Sequence, residues 1–171
     1  MTTSNVIMQT LINNGHIDAI RSLITAGIDI NAKDHNGSTY LHVALEDSNI
    51  DAIKLLLTLG ANVNIKDDSY GYAPLHIASL NGLTNIVQLL IEHGANVNQC
   101  DNDGRVPLHY ASCKEHIDVM RLLIEAGANV NIRNKAGKTP LDWALCKGHI
   151  DAINLLKIQL TSNNQSHQLV I

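Results

Sequence analysis

Nine histidines and three cysteines are the residues of this 171-residue chain best suited to chemistry. His42, His76 and His109 each close a segment of one pattern: Thr39-Tyr-Leu-His42, Ala73-Pro-Leu-His76 and Val106-Pro-Leu-His109. Imidazoles recurring in register raise the question of a zinc site. Cys113, close to His116 in sequence, raises that of a thiol activated by a neighbouring base. Cys100, Cys113 and Cys146 are odd in number and lack zinc-like spacing. Either chemistry needs side chains that converge on one point, so the elements carrying them decide.

Those elements repeat. Gly27-Ile-Asp-Ile-Asn31, Gly60-Ala-Asn-Val-Asn64, Gly94-Ala-Asn-Val-Asn98 and Gly127-Ala-Asn-Val-Asn131 recur at spacings of 33, 34 and 33 residues. The histidine segments run in phase, with Thr139-Pro-Leu-Asp142 as a fourth member, and GHIDAI occurs identically at 15–20 and 148–153. Thr39 and Thr139 are suited to cap a helix N-terminus. Pro74, Pro107 and Pro140 suit its first position, where a missing N–H costs nothing. A second helix is expected with Asp18, Asp51, Asp118 or Asp151 in its first turn and apolar residues at helical spacing, such as Ile50, Ile53, Leu56 and Leu57. Gly27, Gly60, Gly94 and Gly127 are placed to end it in a left-handed conformation. Extended Asn-Val-Asn then leads to a glycine turn (DHNG, DNDG, NKAG). Each unit thus reads helix, helix, projecting hairpin, with an apolar flank that only stacking can bury.

The motifs DxxGxTPLH, GH and LLxxGANVN cover about residues 4 to 160, and on them the chain resembles the ankyrin-repeat family. The resemblance implies an all-α ankyrin-repeat solenoid of stacked helix-turn-helix units with projecting β-hairpin loops. Residues 1–160 form a single domain on this reading: a capping repeat at 4–33, repeats at 34–66, 67–100 and 101–133, and a capping repeat at 134–160. A polar C-terminal tail follows at 161–171. The end repeats depart from the pattern, with Val6-Ile-Met-Gln9 at the TPLH position and Lys157 in a slot filled elsewhere by Ile24, Leu57, Ile91 and Ile124. A terminal repeat meets water where others meet a neighbour, so polar substitution there is expected.

The repeat answers the opening question. Packed helices lie about 8–10 Å apart, whereas two ligands each about 2.0–2.1 Å from one zinc are no more than roughly 4 Å apart. The histidine column cannot share a metal, and the resemblance gives it a place in the loop hydrogen bonds. His16, His116 and His149, which open second helices, take the same structural reading. Cys113 and Cys146 hold one position in neighbouring repeats, beyond the Cα separation of about 4.4–6.8 Å that disulfides use. They are expected to be free thiols. No orienting group or oxyanion pocket is implied, so no catalytic residue, metal site or cofactor is expected. Asn31, Asn64, Asn98 and Asn131 are expected to bridge successive hairpins. The resemblance also allows their hydroxylation, since each has Leu eight residues before it (Leu23, Leu56, Leu90, Leu123). Leu169-Val170-Ile171 resembles the C-terminal ligands of PDZ domains, set against a disordered tail or one folded over the last repeat.

A net charge of −4 argues against a sequence-independent grip on nucleic acid. No apolar run approaches the ~20 residues of a membrane span, and the first ten residues lack a cationic region followed by an apolar one. A monomeric, cytoplasmic protein is expected, with delivery into a host cell as an alternative. Charge is uneven: residues 1–100 carry 9 acids and 4 bases, 101–131 carry 5 and 3, and 132–171 carry 2 and 5. Such a gradient could orient a charged partner, against unselected variation on a solvated surface.

In the family, partners bind on the concave surface of hairpin tips and first helices, whose residues face solvent and vary freely. Carried over by position, the candidates are His35, Asn36, Glu46 and Asp47 in repeat two, and Asp68, Ser69, Tyr70, Tyr72, Leu80 and Asn81 in repeat three. Asp103, Arg105 and Lys114 follow in repeat four, and Lys138 in repeat five. Repeat three stands out, because exposed aromatics anchor interfaces by burying large area at small entropy cost. Its extra residue, between Asp67 and Gly71, is read as a harmless insertion at a loop tip. Tyr110 and Trp143 precede the buried helix alanine and are expected in the core, with partial exposure of Trp143 in the last repeat as the alternative. The expected function is a non-catalytic protein–protein interaction module with an unidentified protein partner. The alternatives are a stoichiometric kinase-type enzyme inhibitor and a host-directed effector of an intracellular microbe.

Overall fold

The computed structural model describes residues 3–168, which form five helix pairs. They are α1 (Thr3–Asn13) with α2 (Ile17–Thr25), α3 (Tyr40–Glu46) with α4 (Ile50–Thr58), α5 (Pro74–Leu80) with α6 (Thr84–Glu92), α7 (Pro107–Lys114) with α8 (Ile117–Glu125), and α9 (Pro140–Lys147) with α10 (Ile150–Gln168). Three first helices open on proline, and α3 opens after Thr39 in an extended conformation. Asp18, Asp51, Asp118 and Asp151 fall in first turns of second helices, where a carboxylate meets the positive end of the helix dipole.

At the end of α4, Gly60 donates to the Leu57 carbonyl (3.0 Å) and Ala61 to that of Leu56 (3.0 Å), with φ of +88° at the glycine. The last carbonyls of the helix are thereby satisfied. A second left-handed residue links the two helices of each pair. Glycine supplies it at 15, 82 and 148, but Ser48 (φ 52°) and Glu115 (φ 56°) adopt it against the steric preference of their side chains.

First helices stack α1 on α3 on α5 on α7 on α9, while second helices pair α2 with α4 and run α6 on α8 on α10. Leu41, Leu75 and Leu108 are buried between the first helices, and Ala44, Ala78, Ala111 and Ala144 are fully buried there. Ile53, Leu56, Leu90, Met120, Leu123 and Leu156 fill the second layer. Each large aliphatic side chain so buried contributes about 1.5–3 kcal/mol. Lys157 is exposed at the last repeat, and α10 continues through Gln168. Leu169-Val170-Ile171 lies outside the described residues.

The loops project as tight turns, with no regular strand among the described residues. Their tips are nevertheless stitched together. Asp68 donates its backbone N–H to the Asn36 carbonyl (2.8 Å), Asn102 to Tyr70 (2.9 Å) and Lys135 to Asp103 (2.8 Å). Close approach explains two of the glycines: a Cβ on Gly37 would sit 2.6 Å from the Asp68 nitrogen, and one on Gly71 2.8 Å from that of Asn102.

Candidate partner-binding surface

The fingers at Asp34, Asp67 and Asp101 are folded around a carboxylate, and the last around the amide oxygen of Asn134. Asp67 Oδ1 accepts from the N–H groups of Tyr70 (2.7 Å) and Gly71 (2.8 Å), as Asp101 Oδ1 does from Asp103 and Arg105 (2.8 Å each). The third finger closes from Asp67 N–H to the Tyr72 carbonyl, one residue longer than Asp34 to Ser38 or Asp101 to Arg105. In all three fingers the residue that offers its carbonyl to the next tip is the one before glycine: Asn36, Tyr70 and Asp103. The additional residue is therefore absorbed between Asp67 and Tyr70, and the stacking register is unchanged.

From this finger a line of rings crosses three repeats. Tyr70 is 62% exposed and stacks on half-buried Tyr72 at 5.3 Å between centroids. Tyr72 stacks on His76 (5.9 Å) and meets buried Tyr110 edge-on (5.4 Å), and Tyr110 meets half-buried Trp143 edge-on (6.1 Å). These are the offset and edge geometries that ring quadrupoles favour.

A polar network holds the line. Tyr110 donates its hydroxyl to Asp101 Oδ2 (2.5 Å), with the Tyr72 hydroxyl 3.1 Å away. Arg105 donates Nε to the same carboxylate oxygen (2.7 Å), pairs with Asp103, and lies 5.4 Å from the Tyr110 ring centroid. Burial works to raise the Asp101 carboxyl, but the hydrogen bonds from Tyr110 and Arg105 outweigh it and hold the group below the usual carboxylate range. Burial, then the bond to Asp101, pushes the Tyr110 phenol well above its ordinary value.

The other sequence-predicted residues divide by what they touch. His35, Asn36, Ser69 and Lys114 are exposed, as is Lys138. Asp68 is exposed and pairs with Lys33 Nζ (2.9 Å). Glu46 and Asp47 form an acidic end, where desolvation first, then the charges of Asp47, Asp67 and Asp34, raise the Glu46 carboxyl. Asn81 reaches back to the Leu45 carbonyl (3.4 Å), and half-buried Leu80 offers its own carbonyl to His116 Nε2 (3.1 Å). Tyr72 is as much a joint as a contact, since its carbonyl accepts from His42 Nε2 (2.9 Å). Of the two expectations for Trp143, core or partly exposed in the last repeat, the half-buried ring matches the second. The signal in the sequence was the 33-residue step from Tyr110 to Trp143, which places both rings in one register.

The histidine column is committed to structure. Nδ1 of His42, His76 and His109 accepts from the backbone N–H of Thr39 (3.2 Å), Ala73 (3.0 Å) and Val106 (3.2 Å). Nε2 faces the carbonyls of Tyr72, Arg105 (3.2 Å) and Lys138 (3.0 Å) in the next finger. Acceptor at one nitrogen and donor at the other is the neutral imidazole, and burial lowers the pKa of all three. No group of three metal-ligating side chains occurs among the described residues. The asparagines form a parallel ladder: Asn64 Oδ1 accepts from Asn96 N–H (2.9 Å) while its Nδ2 donates to Gly94 (3.0 Å), and Asn98 repeats this with Asn129 (2.8 Å) and Gly127 (3.0 Å).

Stacked helix pairs joined by hydrogen-bonded fingers define a repeat solenoid of the kind that binds other proteins. A family model described as ankyrin repeats (3 copies) matches residues 7–101 and 94–166, and the chain belongs to the ankyrin-repeat family. Ankyrin repeats indicate a protein–protein interaction module, and the family is generally non-enzymatic. Among curated relatives, delta-latroinsectotoxin-Lt1a of Latrodectus tredecimguttatus is 36% identical over 83 residues, covering 48% of this chain and 7% of the toxin. Glycerophosphocholine phosphodiesterase gde1 of Schizosaccharomyces pombe is 34% identical over 85 residues, covering 50% of this chain and 8% of that protein. The match spans under a tenth of either relative. No helix among the described residues is long and apolar enough to cross a membrane.

Proposed function

We propose that the concave face from repeat three to repeat five takes the protein partner, with Tyr70 as its exposed anchor and Tyr72 and Trp143 beside it. The observation that carries this reading is the unbroken line of rings from Tyr70 to Trp143. Partly exposed aromatics packed ring on ring against Tyr110, whose hydroxyl bonds to Asp101, are pre-organised, so little entropy is lost when a partner covers them. Acidic Glu46, Asp47 and Asp68 belong to repeats two and three, and basic Arg105, Lys114 and Lys138 to repeats four and five, so the charge of the face changes sign along the stack. Affinity capture from the source cell tests the surface, comparing the wild type with Tyr70→Ala and with Tyr70→Ala combined with Tyr72→Ala. Both variants are expected to keep their helix content and lose partner; undiminished capture by the double variant would sink the surface.

A further inference from the structure

We infer that the recess beside Trp143 takes one apolar side chain from an acidic segment of the partner, an inference that rests on the concave face being the binding surface. The recess, about 420 Å³, is lined by Cys113, Lys138, Asp142, Trp143, Cys146 and Lys147. The indole, the two thiols and the lysine stems give it an apolar floor. A partner side chain seated there leaves water without leaving a polar group unpaired.

The rim sets the charge of the occupant. Lys138 and Lys147 are exposed, and neither has an ion-pair partner among the described residues. The single carboxylate of the lining, Asp142, accepts from Thr139 N–H (2.8 Å) and Oγ1 (2.9 Å), and those bonds hold it ionised and turned to its own helix cap. The Asp142 charge acts on Lys138, but one carboxylate against two exposed lysines leaves the lining net positive towards carboxylates of an incoming chain. On the other side of Trp143 a second recess of about 510 Å³ contains Arg105, whose guanidinium is already matched by Asp101 and Asp103. Among the described residues, the first recess sets two lysines without ion pairs over a floor of indole and thiols, whereas the second offers one such lysine, Lys135, beside the matched Arg105. The surrounding sequence has the same sign, since residues 132–171 carry 5 bases and 2 acids. Complementary charge speeds and orients docking, while the buried side chain slows dissociation.

Random dodecapeptides displayed on phage and panned against the whole chain test this. Synthetic copies are then titrated while the emission of Trp143, the one tryptophan of the chain, is followed. Recovered peptides should carry Asp or Glu around a single Leu, Ile or Phe, shift the emission, and bind about tenfold more weakly to Lys138→Glu combined with Lys147→Glu. Peptides without acidic residues, or indifferent to the lysine reversal, overturn the inference. So does a panning that yields no ligand, or a single-stranded oligonucleotide that shifts the emission where acidic peptides do not. Capture from the source cell separates the two readings. Loss with Tyr70→Ala but not with the lysine reversal refutes the recess and keeps the concave surface. Indifference to both removes both.

Discussion

The asparagine ladder and the aromatic line run along the same stack, yet one repeats and the other does not. Asn31, Asn64 and Asn98 each accept the N–H of the asparagine two residues before the matching position in the next repeat, at 2.8–2.9 Å. At each register the side chain is spent on its neighbour. Tyr70 stands where Asn36 and Asp103 precede the finger glycine, Tyr72 replaces Ser38, Arg105 and Lys138, and Tyr70 gives the next finger only its backbone carbonyl while its ring stacks on Tyr72 of its own finger. Repetition marks residues that build the solenoid. Departure from it, in an exposed register, marks residues free to meet something else.

The contrast can be broken first at the scaffold. His109→Ala removes the acceptor of Val106 N–H, the donor to Lys138 and the edge contact with Trp143 (5.7 Å), all in a fully buried site. A loss of about 3 kcal/mol is expected by urea unfolding, and a cost under about 1 kcal/mol would show that the column is not structural.

Acid should attack the same column. Burial keeps His42, His76 and His109 from protonating in the folded chain, so their pKa values lie below those of the unfolded state. Their contribution is present above about pH 6.5 and is lost as pH falls towards the folded values, because the unfolded chain then binds more protons. Urea midpoints measured from about pH 7.5 down to pH 5 should fall, and fall less in His109→Ala. A flat profile would contradict the neutral column.

Asn98→Ala strips two exposed hydrogen bonds and should cost about 1 kcal/mol while leaving partner capture by the folded fraction intact. Ser48→Gly, which relieves a left-handed serine in the slot that Gly15, Gly82 and Gly148 fill, should gain roughly 0.5 kcal/mol. Smallest of all on stability is Tyr70→Ala, expected within about 0.5 kcal/mol of wild type although it abolishes capture. If Tyr70→Ala instead destabilises as much as His109→Ala, the division between scaffold and surface fails.

Much of the fold was legible because stacking imposes the period on the sequence itself. Pro74, Pro107 and Pro140 marked helix starts, and Gly27, Gly60, Gly94 and Gly127 marked helix ends, since each is chosen by local backbone geometry. The binding surface was less legible. Position in the repeat distinguished Tyr70 from Tyr110, but not half-buried Tyr72 from a free side chain, and it left Trp143 between the core and partial exposure. The Asp101–Arg105–Tyr110 network was invisible because Arg105 was read as a solvent-facing position and Tyr110 as core, with nothing in the spacing to bring them to Asp101.

The sequence by itself determined the repeat, the helix pairs and the direction of the charge gradient, all of which follow from the order of residues along one chain. Tertiary structure alone decided which departures from the repeat face water and which bond to the next finger. That depends on distances between residues some 30 positions apart: Tyr110 to Tyr72, His42 to the Tyr72 carbonyl, and Trp143 to Tyr110. Periodicity places such residues in register, but only packing fixes how far each side chain is covered.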